Sequence, residues 1–70
     1  MDELIAQISR AIYYKFDGAE TSCIKQILDN NDADEREKAN TICDLIGVER
    51  RSNRALIEGE IYKHINTQRP

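Results

Sequence analysis

The chain is expected to fold as an all-α, compact bundle of four short helices, forming a single domain over residues 1–70. Three observations lead there. Apolar residues recur at three-and-four spacing in four separate stretches, the period at which one face of an α-helix repeats. Strand-type alternation is missing, and clusters of β-branched and aromatic residues are few. Punctuation is confined to Gly18, Gly47, Gly59 and one proline, Pro70. With 70 residues, 40% of them apolar, the core is thin. A chain of this length buries about 60% of the surface its unfolded form exposes, so a deep catalytic pocket is not expected.

The first helix spans roughly 2–16, with Leu4, Ile5, Ile8, Ala11, Ile12 and Phe16 on one stripe. Asp17-Gly18 is a turn pair that ends it. Asp17 and Glu20 have the spacing of a capping box for a second helix over roughly 19–30. That helix carries Cys23, Ile24, Ile27 and Leu28 on its apolar face. Asn30-Asn31-Asp32 reads as a break. Asp32 and Glu35 repeat the capping-box spacing, and Asp34, Glu35 and Glu37 add acid to a first turn, where the helix dipole favours it.

A third helix, roughly 33–46, buries Ala39, Ile42, Cys43 and Ile46 with Leu45 on its flank, and Gly47 ends it as a left-handed cap. The fourth, roughly 49–66, carries Leu56, Ile57, Ile61 and Ile65 at helical spacing. Gly59 inside it costs about 1 kcal/mol relative to alanine and marks either close helix packing or slack. Thr67 to Pro70 reads as a frayed tail.

Several chemistries find no residues here. Cys23, Cys43 and the single His64 cannot supply four zinc ligands at usual spacings, and both cysteines are expected as reduced core thiols. A calcium loop counted from Asp32 would need glycine sixth and glutamate twelfth, where the chain has Glu37 and Cys43. Phosphate-binding and dinucleotide fingerprints are missing. One histidine near a helix end does not make a nucleophile–base pair. No catalytic residue, metal or cofactor is therefore expected, and the protein is expected not to be an enzyme.

No run is long and apolar enough to span a membrane. The acidic start, Met1-Asp2-Glu3-Leu4-Ile5, lacks the features of a secretory signal, so the expected location is cytoplasmic, in the protein's own cell or a host cell.

Charge is unevenly placed. Residues 1–35 carry three bases and eight acids, a net of −5; residues 36–70 carry seven bases and five acids, a net of +2, together the chain's −3. Two clusters stand out as partner-binding candidates. Asp32, Asp34, Glu35 and Glu37 make an acidic segment suited to charge mimicry of a nucleic acid. Arg50, Arg51 and Arg54, with Asn53 among them, place interface-prone residues within five positions. Tyr13 and Tyr14 are adjacent and cannot both face the core, so Tyr14 beside Lys15 is taken as an exposed contact.

Thr41-Ile42-Cys43-Asp44-Leu45-Ile46-Gly47-Val48 resembles the helix–turn part of helix-turn-helix DNA-binding proteins. In that family a small residue packs beneath the second helix, a glycine turns the chain four positions later, and a hydrophobic residue follows. Cys43, Gly47 and Val48 fill those places, with Ile42 and Ile46 as core contacts. The resemblance implies a recognition helix over residues 49–62, with Arg50, Arg51, Asn53 and Arg54 toward phosphates and base edges. Asn53 stands where that helix usually buries an aliphatic residue; Leu56 fits the next buried place. A pI near 5.0 departs from the basic footprint of small DNA-binding domains.

The leading expectation is a small non-catalytic regulatory or inhibitor protein that binds a protein partner. Phages and mobile elements use compact single domains of this kind to block host nucleic-acid-processing complexes. The alternative is a helix-turn-helix transcription regulator that meets nucleic acid through Arg50, Arg51 and Arg54. A homodimer through the apolar stripe of the first or fourth helix is a further expectation.

Overall fold

The computed structural model describes residues 2–68, and among these it contains four helices and no strand. They are α1 (Asp2–Ile12), α2 (Gly18–Asp29), α3 (Glu35–Ile46) and α4 (Arg50–Gln68). The expected all-α bundle is the observed fold. α4 is the spine: it packs most extensively on α3, then on α1, while α2 rests mainly on α3 and touches α1 least. The Cα radius of gyration is 11.0 Å, matching the roughly 11 Å of a compact domain of this length.

The core is aliphatic. Leu4, Ile5 and Ile8 come from α1, Ile24 and Leu28 from α2, Ala39, Ile42 and Cys43 from α3, and Ile57 and Ile61 from α4. Ile12, Phe16, Ile27, Ile46, Val48 and Ile65 pack around them. No polar or charged residue is buried among the described residues.

Helix ends show where local chemistry sets the boundaries. α1 stops at Ile12, four residues before the expected end, because Tyr13 turns into the left-handed region at φ 54°. The Tyr14 N–H returns to the Ser9 carbonyl (3.1 Å) and the Tyr13 N–H to that of Arg10 (3.4 Å), the paired bonds of a Schellman cap. Phe16 still reaches the core, from the connecting segment.

The capping box at α2 forms as expected. The Glu20 N–H donates to Asp17 Oδ1 (2.7 Å) and the Asp17 N–H to Glu20 Oε1 (3.0 Å). At α3 the cap is Asp34 and not Asp32: the Glu37 N–H donates to Asp34 Oδ1 at 2.8 Å. The Asp32 N–H is taken by Asn30 Oδ1 (3.0 Å), a side-chain turn that holds residues 30–33 out of the helix.

Gly47 caps α3 at φ 73°, with its own N–H and that of Val48 returning to the Cys43 carbonyl (3.0 and 3.2 Å). α4 begins where the Glu49 carboxylate accepts the Ser52 hydroxyl at 2.7 Å. It continues through Thr67 and Gln68, where a frayed tail was expected; the tail's remaining residues, Arg69 and Pro70, lie outside the described residues.

Two apolar assignments are corrected. Cys23 is exposed, and only Cys43 is a core thiol; both are free. With α3 as its main neighbour, α2 buries the single row Ile24–Leu28, and Cys23 lies about 100° around from Ile24. Leu56 is 45% exposed, because the buried row of α4 runs through Ile57 and Ile61. A Cβ placed on Gly59 would meet nothing within 4 Å, so this glycine marks slack and not close packing within the chain.

Candidate partner-binding site

α4 carries apolar residues on two opposite faces. Its inner row, Ile57 and Ile61, is in the core, yet Leu56 and Tyr62 are 45% and 59% exposed, with Ala55 and Gly59 exposed beside them. At 100° per residue Leu56 and Tyr62 lie on either side of the line through Gly59. Sequence reasoning missed this face, although the signal was there: Leu56-Ile57 and Ile61-Tyr62 are adjacent pairs, and neighbours on a helix cannot share one side.

Because Ala55 and Gly59 are small, the surface dips between α3 and α4. The resulting groove, about 460 Å³, is lined by Arg36, Arg54, Ala55, Glu58, Gly59 and Tyr62.

The arginine cluster is partly engaged. The Arg50 guanidinium forms a two-pronged pair with the Asp44 carboxylate, its Nε donating to Oδ1 at 2.8 Å. That hydrogen bond, and then the arginine's charge, hold Asp44 below its ordinary value and raise Arg50. Arg54 pairs with Glu58 one turn on. Arg51 is exposed and in no ion pair among the described residues. Asn53 is half-buried and its amide donates to the Glu49 carbonyl at 3.0 Å. Glu49 is itself held low, first by the Ser52 hydroxyl.

Asp32, Asp34, Glu35 and Glu37 gather at the α2–α3 turn and the first turn of α3. Asp32 and Glu37 are exposed, Glu35 is half-buried, and the Asp34 carboxylate is occupied as the helix cap. Arg36 sits within this segment.

The exposed member of the tyrosine pair is Tyr13, at 97%, and not Tyr14. Tyr14 is half-buried, its ring 5.4 Å from that of Phe16 and its hydroxyl donating to Glu20 Oε2 at 2.7 Å. The bond to Glu20 raises its pKa above the ordinary tyrosine value.

A second groove, about 330 Å³ between α1 and α4, is lined by Glu3, Gln7, Arg10, Glu60, Lys63, His64 and Thr67. Its charges are mixed, and Lys63 already bonds Glu60 at 3.2 Å. The described residues hold no group of three or more His, Cys, Asp or Glu side chains placed to bind a metal. Burial pushes the Cys43 thiol up, away from the reactive thiolate. No helix among the described residues is long and apolar enough to cross a membrane. Compared with known proteins, the chain matches no family model, no curated protein and no solved structure.

Proposed function

We propose that this protein is a small non-catalytic regulatory protein that docks on a partner protein through the outward face of α4. The observation that supports the reading is the two-faced character of that helix. Leu56, Gly59 and Tyr62 recur at three-residue spacing, the pattern by which a helix presents anchors to a partner's groove. Tyrosine and arginine are enriched at interface hot spots, and Arg51 extends the same face toward the α3–α4 corner.

The acidic segment at the start of α3 adds long-range attraction to a basic partner surface, which suits an inhibitor that competes for a nucleic-acid site. Asp32 and Glu37 carry that role, since Asp34 is committed to its cap.

A photo-crosslinking amino acid placed at Tyr62, with one at Lys25 on α2 as control, tests the reading in cells. The expected result is a discrete protein adduct from position 62 and none from position 25. Adducts from neither position, or equally from both, would remove the assignment to α4.

The α3–α4 corner favours a second reading, the helix-turn-helix regulator. Cys43 is buried, Gly47 is left-handed, Val48 packs on the core, and three residues join the helices, as that motif requires. Of its arginines, Arg50 and Arg54 are already paired with Asp44 and Glu58. Anisotropy of a labelled duplex at two salt concentrations discriminates: steeply salt-dependent binding, lost in the Arg50→Ala/Arg51→Ala/Arg54→Ala variant, favours DNA over a protein partner.

A further inference from the structure

Resting on the docking reading above, we infer that the α3–α4 groove is a peptide-binding site for a partner segment in which a bulky apolar side chain lies next to carboxylates. The groove has the two parts such a segment needs. Ala55, Gly59 and the Tyr62 ring line this shallow groove with apolar surface. Its rim carries guanidinium groups: Arg36 of α3, set between Glu35 and Glu37, and Arg54 of α4 line it, and Arg51 stands one turn before Ala55 on the same side of the helix.

Glu58 is the one carboxylate in the lining, and Arg54 already holds it. Neither Arg36 nor Arg51 is in an ion pair among the described residues, so two guanidinium forks remain to receive carboxylates two-pronged.

Area and charge select this occupant over the others. Nineteen residues make α4 about 28 Å long, and a stripe about 10 Å wide along it offers roughly 300 Å². A stable homodimer buries about 800 Å² per partner, so a second copy seated on this face alone falls short, while a short segment in a groove does not need that area. A nucleic-acid backbone brings no bulky apolar group for the Ala55–Gly59 surface.

Panning a display library of random peptides on the immobilised full chain, with Gly59→Leu as counter-selection, tests the inference. Gly59→Leu adds a bulky side chain at an exposed lining position of the groove, where a Cβ meets nothing within 4 Å. A thermal midpoint at or above wild type verifies that this variant folds. Arg36→Glu reverses one rim charge in the first turn of α3, where a carboxylate suits the helix dipole.

Enriched peptides are expected to place Asp or Glu beside Leu, Phe or Trp, and to bind wild type about tenfold tighter than either variant. No enrichment, enrichment of basic peptides, or equal binding to Gly59→Leu overturns the inference. So does a stable dimer or single-stranded DNA binding that Gly59→Leu abolishes. Crosslinking at position 62 separates the two levels. An adduct without acidic peptides removes the groove chemistry and leaves the docking face; no adduct and no peptides removes both.

Discussion

At the ends of α1 and α3 the chain makes the same move with different residues. In each case one residue enters the left-handed region and the next N–H returns five residues back, Tyr14 to Ser9 and Val48 to Cys43. At Gly47 there is no Cβ to crowd the preceding carbonyl. At Tyr13 there is a full aromatic side chain, 97% exposed, in a conformation that costs an L-residue about 1–2 kcal/mol.

The packing behind the two corners also differs. α3 and α4 form the most extensive helix pair and α1 and α2 the least. The strained corner is instead held by polar bonds: Ser9 Oγ to the Tyr14 carbonyl, the Tyr14 hydroxyl to Glu20, and the Asp17–Glu20 capping box. Chain reversal thus demands the left-handed residue at both places, whatever side chain stands there.

Exchanging the residues breaks this comparison most sharply. Gly47→Val puts a β-branched residue at φ 73° and is expected to destabilise the fold by about 2 kcal/mol in urea denaturation. An unchanged midpoint would show that the α3–α4 corner can reverse without a left-handed residue. Tyr13→Gly acts in the opposite direction. It relieves the strain, at some loss of backbone entropy, and is expected to raise stability by about 0.5–1 kcal/mol. A lower midpoint there would assign the Tyr13 ring a stabilising contact.

The smallest effects distinguish the corners by pH. Asp44, beside the α3–α4 corner, titrates lower when folded than unfolded because of Arg50. Its contribution is present above the ordinary carboxylate value and is lost as pH falls below about 4. Tyr14, at the α1–α2 corner, titrates higher when folded because of its bond to Glu20. Its contribution is present below about pH 10 and is lost as pH rises through the folded value. Asp44→Asn should therefore flatten the acid limb of a stability–pH profile and Tyr14→Phe the alkaline limb. Both limbs unchanged would show the two bonds to be solvent-exchanged.

What was legible in the sequence was chemistry that acts over three or four residues. The Asp17–Glu20 box and the Gly47 cap stand where their residue types require, and the cores of α3 and α4 follow helical spacing. The end of α1 was hidden because apolar spacing runs on through Phe16, which meets the core from beyond the turn. The choice of Asp34 over Asp32 turned on Asn30, whose side chain competes for the Asp32 N–H. Cys23 and Leu56 were misplaced for a shared reason: a helix with one main neighbour, or with apolar residues on both sides, has a narrower buried row than its spacing suggests. The groove could not be seen at all, since Arg36 and Gly59 are joined only by the packing of α3 on α4.

The aliphatic core also governs how this molecule looks to a spectroscopist. There is no tryptophan, and Tyr13, Tyr14, Tyr62 and Phe16 all lie outside the buried set. Apart from Phe16, which packs against the core from the connecting segment, the rings that near-ultraviolet dichroism reports lie at the surface or the bundle's edge. Weak near-ultraviolet signals and poorly dispersed methyl lines are the usual marks of a molten globule. Here they are expected of the packed native state itself, and loss of amide-exchange protection at the buried Ile8, Ile42 and Ile57 is the readout that follows its unfolding.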